Sequence, residues 1–241
     1  MANFFVDKEA FYRDPIVVDG EEANHMIKVL RMKAGDCLTL FDGEGSCADG
    51  EIESIEGKSV LVKVIKRYAS ETEPKLKITL FQGIPKNPKM DMIIQKATEL
   101  GVTRIVPVNT KRIVAKIDKE AKIDRLQRIA FEEEKQCGRA YVPEVNSPVS
   151  FGKALEMMRE LNCAIIPYEC EKDGKLADCI PEGIETLGII IGPEGGFEAA
   201  EVEKAEEAGV KRVTLGKRIL RTETAGLIAS ALCLYIAGDM N

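Results

Sequence analysis

Near residue 72 the hydrophobic pattern of this chain changes period, and that change constrains the fold more than any other feature of the sequence. Before it, apolar residues alternate with polar ones over 37–41, 51–55 and 60–65, separated by turn-forming residues at Asp42 to Gly45 and at Glu56 and Gly57. After it, apolar strand segments alternate with amphipathic helical segments, the pattern of an α/β domain with a mostly parallel sheet. The expected organisation is a small β-rich domain over 1–72 and an α/β domain over 73–241, with the polar, Pro74-containing stretch 70–75 as linker. In the second part strands are predicted over 76–82, 104–108, 163–167, 187–191 and 210–215, and helices over 90–100, 119–136, 151–161, 198–208 and 223–237. The first of these helices puts Met90, Ile93, Ile94, Ala97 and Leu100 on one face, and Gly101 supplies a left-handed stop. In the first part a short helix over 21–30 would align Ala23, Met26, Ile27 and Leu30.

Charge is segregated along the chain. The net charge of -6 argues against nucleic acid as a sum. Its distribution argues the other way: between residues 104 and 128, Arg104, Lys111, Arg112, Lys116, Lys119, Lys122, Arg125 and Arg128 face only Asp118, Glu120 and Asp124. Acidic residues gather instead at 169–185 and 198–207. That segregation suits an RNA binder with an acidic far side, and equally a solvated helix face. Seven cysteines without a CxxC pair, and a single histidine, do not assemble a zinc set, so no metal and no disulfide framework is expected. With no apolar run of membrane-spanning length and no cationic leader at Met1, a cytoplasmic protein is expected.

Two segments carry chemistry. In 187–197 (LGIIIGPEGGF) an apolar strand ends in a glycine-rich turn just before a helix, a layout that brings backbone N–H groups to a ligand at the strand's C-terminal edge. Glu194 would repel a phosphate there, and the GxGxxG and GKS/T patterns are absent; adenosine beside a cationic sulfonium fits better. In 213–225 (VTLGKRILRTETA) a second strand ends in a glycine turn, passes Ile219 and Leu220 between Arg218 and Arg221, and enters a helix near Thr222. Ile219 and Leu220 either cover a flat ring such as adenine or plug the core. The glycine-rich turn, likewise, has a reading with no ligand at all.

The motif at 192–196 followed by 215–225 (LGKRILRTETA) resembles the cofactor-binding signature of RsmE-type SPOUT methyltransferases, enzymes that methylate uridine N3 in 16S ribosomal RNA. The resemblance extends through 89–102 (KMDMIIQKATELGV), the 132–143 segment with Gln136, Gly138 and Arg139, and 25–31 (HMIKVLR), and so covers nearly the whole chain. It implies an N-terminal PUA-like β-barrel for RNA, a C-terminal α/β domain whose chain end is threaded into a trefoil knot, and a homodimer with the pocket near the subunit interface. The implied cofactor is S-adenosylmethionine, held chiefly through backbone groups by Pro167, Gly192, Gly195, Gly196, Leu215, Gly216, Ile219 and Leu220. Contacts from the acidic loop after Tyr168 stay open.

Uridine N3 lies between two carbonyls and carries a proton at neutral pH, so its methylation needs proton removal or stabilisation of the developing anion. Glu223 and Glu194 are the candidate carboxylates, and Arg139 and Arg221 the candidate arginines. Glu223 equally suits the positive end of a helix, and Arg139 equally suits a helix C-terminus or a phosphate. His25, Lys28 and Arg31 of the first helix, and Lys111 and Arg112 of the basic stretch, are expected to meet RNA. The competing readings are a SPOUT methyltransferase for another nucleotide, such as a ribose 2′-hydroxyl in transfer RNA, and a non-catalytic RNA-binding assembly protein. A dinucleotide oxidoreductase is disfavoured by the missing glycine fingerprint.

Overall fold

The computed structural model describes residues 2–86, 88–115, 117 and 120–240. Lys116, Asp118 and Lys119 of the basic stretch lie outside them, as does the first residue of the helix predicted over 119–136. Two compact units result, one from Met1–Glu73 with Glu134–Val142 and one from Pro74–Glu133 with Pro143–Asn241.

The first unit contains β1 (Ala2–Phe5), α1 (Lys8–Phe11), β2 (Ile16–Val18), α2 (Gly20–Asn24), β3 (Cys37–Phe41), β4 (Ser46–Glu56) and β5 (Ser59–Ala69). These form a curled sheet in the order β1-β3-β4-β5-β2, antiparallel except for the β1–β3 pair. The strand predicted over 51–55 proves to start five residues earlier, because Ser46 to Ala48 continue the pairing with Tyr68 and its neighbours past an irregularity at Asp49 and Gly50. One face of the sheet closes over Phe4, Phe11, Ile16, Met26, Leu38, Leu40, Ile52 and Val62. The predicted helix over 21–30 differs in an instructive way. After Asn24 it widens into a π-helical turn over His25–Val29, which ends at Arg31 with φ 54°. The wider turn shifts the helical phase, so Met26 stays in the core while Leu30, expected to join it, is 46% exposed.

The second unit contains β6 (Lys77–Gly83), α3 (Lys89–Glu99), β7 (Arg104–Asn109), α4 (Glu120–Cys137, whose last turn belongs to the first unit), β8 (Glu144–Val145), β9 (Val149–Ser150), α5 (Phe151–Met158), β10 (Cys163–Pro167), α6 (Leu176–Cys179), β11 (Thr186–Ile191), α7 (Ala199–Glu207), β12 (Lys211–Val213) and α8 (Thr222–Ile236). Its sheet runs β12-β10-β11-β6-β7-β8, with β9 also on β7, and every pairing is parallel. Both faces are covered, as a parallel sheet requires. Leu80, Ile189 and Ile191 pack with α3 and α8 residues on one side; Phe81, Val106 and Ile190 pack with α5 and α7 residues on the other. Each such fully buried aliphatic side chain contributes about 1.5–3 kcal/mol. Gly101 takes φ 96°, the predicted left-handed stop.

Strand β12 ends two residues before its predicted limit, because Thr214 turns to bridge Lys175 and Leu215 joins the wall of a cavity.

Candidate active site

At the C-terminal ends of β10 and β11 three loops enclose a cavity of about 510 Å³. That is where open α/β sheets receive ligands, and its volume lies within the usual range of small-molecule pockets, about 300–1,000 Å³. Pro167, Tyr168 and Glu169 leave β10 along one side. The loop from Gly192 to Phe197 follows β11, and the loop from Leu215 to Arg221 leads into α8. All eight residues that the resemblance implied for a cofactor line this cavity: Pro167, Gly192, Gly195, Gly196, Leu215, Gly216, Ile219 and Leu220.

Glycine is needed in the 192–196 loop for reasons visible in the backbone. Gly196 has φ +67°, and a β-carbon there would stand 3.1 Å from the Glu169 carboxylate; one on Gly192 would come within 3.2 Å of the Gly196 backbone. Ile219 is 85% exposed. It does not plug the core, and an apolar side chain in that position is available to cover a ligand.

Behind the cavity, the Thr222 hydroxyl donates to the Gly192 carbonyl at 2.6 Å and accepts from the Gln82 amide at 2.9 Å. The two loops are thus joined to each other and to the end of β6. Gly83 permits the approach, since a β-carbon there would meet the Ile191 carbonyl and Pro193 at 2.8 Å.

Glu194 accepts from the Lys86 backbone N–H at 3.1 Å and pairs with the Lys89 ammonium at 3.1 Å. Glu223 does not line the cavity; its carboxylate turns to the same ammonium at 2.9 Å, with Arg221 more distant at 3.9 Å. Burial opposes ionisation of both acids. For Glu194 its own N–H, Lys89 and the Lys86 N–H outweigh burial; for Glu223 its own N–H, Lys89 and Arg221 do so. Both carboxyls therefore lie below the usual carboxylate range, and Lys89, hydrogen-bonded by Glu223 and Glu194, lies above the usual lysine range. Both acids are charged at neutral pH.

Of the other candidates, Arg221 lies at the cavity with its side chain largely exposed. Lys111 and Arg112 are exposed in the loop after β7, where the Lys111 N–H donates to Glu201 and the Arg112 guanidinium donates to the Gly195 carbonyl at 3.0 Å. His25, Lys28 and Arg31 are exposed on the first unit, His25 meeting Phe4 edge to face.

Arg139 has a partner of its own. It is not brought to this cavity's lining. It belongs to the first unit, is only 4% exposed, and grips Glu73 through Nη2 at 2.7 Å and Nε at 3.2 Å. A partner 66 positions away leaves no local trace in the sequence.

Lys89, Gln82 and Thr222 are the site residues that sequence reasoning passed over. The usable signal for Lys89 was its position at the first turn of the helix that follows β6, on the same sheet edge as both loops. Among the described residues there is no cluster of three or more His, Cys, Asp or Glu able to hold a metal, and no helix is long and apolar enough to cross a membrane.

Residues 72–234 match the RNA methyltransferase domain family, and residues 18–65 match the RNA methyltransferase PUA domain family. The chain is 36% identical over 228 residues to ribosomal RNA small subunit methyltransferase E of Bacillus subtilis, covering 90% of this chain and 89% of that one. To the enzyme of the same name from Mesomycoplasma hyopneumoniae it is 32% identical, over 97% and 99% of the two chains. The crystal structure of a Neisseria gonorrhoeae ribosomal RNA small subunit methyltransferase E bound to S-adenosyl methionine superposes with a TM-score of 0.87 at 33% identity and full coverage of both chains.

Proposed function

Because this chain belongs to the RNA methyltransferase family, with ribosomal RNA small subunit methyltransferase E among its relatives, we propose that it transfers a methyl group from S-adenosylmethionine to N3 of a uridine in 16S ribosomal RNA. The observation that carries the reading is the gathering of all eight marked residues, from three separate loops, around one cavity at the sheet's C-terminal edge.

The residues present fit the cofactor. A loop that needs Gly196 at positive φ offers backbone rather than side chains, Ile219 and Leu220 supply an apolar cover, and Glu169 lends negative charge to a cavity that would take a sulfonium. When bound, S-adenosylmethionine supplies an electrophilic methyl group. The remaining work falls to the chain. Arg221, exposed at the rim, is placed to meet a uracil carbonyl or an adjoining phosphate and so to favour the N3 anion. Glu194 and Glu223 are ionised, the state a proton acceptor needs, although pairing with Lys89 makes each a weak base. The target uridine must leave its stack for its N3 to reach a methyl group held in this cavity.

The small unit, with exposed His25, Lys28 and Arg31, is the proposed RNA-presenting module, and Lys111 and Arg112 extend the contact from the large unit. A homodimer in the cytoplasm, with the chain end knotted, completes the proposal. Dimerisation is supported by α8, where Ile228, Leu232, Tyr235 and Ile236 form an exposed apolar stripe at helical spacing opposite the buried Ala229, Cys233 and Leu234.

The test is transfer of label from methyl-labelled S-adenosylmethionine to small ribosomal subunits that lack their native methylation. Label in the 16S RNA is expected. RNA binding without transfer would point instead to a non-catalytic assembly protein.

A further inference from the structure

Lys89 meets carboxylates from both sides of the cavity: Glu194 from the loop after β11 at 3.1 Å and Glu223 from the start of α8 at 2.9 Å. We propose that Lys89 is a positioning residue that holds the two cofactor loops at their working separation by pairing with both facing acids. The inference rests on the cofactor reading of the cavity.

The geometry carries it in three steps. First, Lys89 stands on a fixed base: it opens α3, whose Met90, Ile93 and Ile94 are buried in the core, and the preceding Lys86 N–H also holds Glu194. Second, the two acids sit on the two segments that flank the cavity. Glu194 lies in the glycine turn that lines it, and Glu223 is one residue beyond Thr222, where the other loop ends. Third, the Lys89 ammonium pairs with both carboxylates and offsets their mutual repulsion. Without its ammonium, two carboxylates held within reach of one point would repel each other, and the exposed Arg221 stands 3.9 Å from Glu223. The Thr222 to Gly192 hydrogen bond would then have to hold the loops against that repulsion.

A direct contact between Lys89 and the cofactor would also make it important, since Lys89 lines the cavity. The two roles separate in a double substitution. If Lys89 acts through the acids, Lys89→Met should weaken binding of S-adenosylhomocysteine to the full-length protein by about tenfold or more in calorimetry. Adding Glu223→Gln, which removes one of the repelling charges, should restore most of that loss. The Michaelis constant for S-adenosylmethionine should rise in Lys89→Met. Lys89→Arg, which keeps the charge, should also stay within about threefold of wild-type affinity, and this arm carries the test if the methionine variant does not fold. Unchanged affinity in folded Lys89→Met would overturn the proposal. So would a double variant no better than Lys89→Met, or a Lys89→Arg variant that loses binding. Failure of the wild-type protein to bind S-adenosylhomocysteine would overturn the cofactor reading itself, which sets that outcome apart from the others.

Discussion

Thr222 and Gly192, thirty positions apart, are joined by a 2.6 Å hydrogen bond from hydroxyl to carbonyl, and the same hydroxyl accepts the buried Gln82 amide. One side chain thus ties together the ends of β6 and β11 and the start of α8. Thr222→Val keeps the shape and removes both bonds, leaving a buried amide and a carbonyl in need of partners. Denaturant unfolding should show a loss of about 1–3 kcal/mol, with weaker binding of S-adenosylhomocysteine. Wild-type stability and affinity in the variant would show that the hydroxyl is dispensable.

Arg139 and Glu73 form a buried pair in the first unit, and Glu73 also accepts the Ala140 N–H at 3.0 Å. Arg139→Ala should therefore act on stability, destabilising this unit by about 3–5 kcal/mol, because it strands a buried carboxylate. The opposite pattern, normal unfolding with a methylation rate at saturating RNA reduced by about a hundredfold or more, would return the residue to the candidate catalytic role.

What could be read from the sequence and what could not divides along physical lines. Strands Cys37–Phe41 and Cys163–Pro167 match their predicted limits, because a uniform apolar period bounded by turn residues is a local property. The two glycine loops were legible for the same reason: close backbone approach demands glycine wherever it occurs. Strand β1 was not, since it pairs in parallel with β3 more than thirty residues away, and nothing within its four residues announces that partner. The π-helical turn that turns Leu30 outward is equally silent in an α-helical pattern. Side-chain partners were least legible. Arg139 with Glu73, and Lys89 with its two acids, are set by tertiary packing, and the same residue types suit a phosphate, a cap or a catalytic role.

Glu134, next to the Arg139 pair, is fully buried, and neither of its carboxylate oxygens has a hydrogen-bond partner among the described residues. Burial pushes its pKa up to about 8 against the pull of Arg139 and Lys135, with the Glu73 and Glu22 charges adding to the rise. The folded protein thus keeps a proton that the unfolded chain releases near the ordinary glutamate pKa. The stabilisation is fully present below that ordinary value and is lost as pH rises through about 8. Glu134→Gln mimics the protonated form. Relative to it, wild type should lose stability between these two pKa values, by at most about 1.4 kcal/mol per pH unit. A stability difference constant from pH 5 to pH 8 would contradict the assignment.

The exposed stripe on α8 leads to a different kind of outcome. Leu232, 42% exposed and central to the stripe, tolerates a charge in a monomer but not in an apolar interface. Leu232→Glu should shift the mass found by light scattering from dimer to monomer while circular dichroism stays unchanged. A wild-type protein that is already monomeric, or a variant that remains dimeric, would remove this helix from the interface.

The central claim is that the cavity between the two glycine loops methylates a uridine base at N3. Its most direct test is nucleoside analysis of 16S ribosomal RNA after reaction of unmethylated small subunits with this protein and S-adenosylmethionine. One new 3-methyluridine is expected, lost when the protein is omitted. Label recovered in a 2′-O-methyl nucleoside or in any base other than uracil would contradict it.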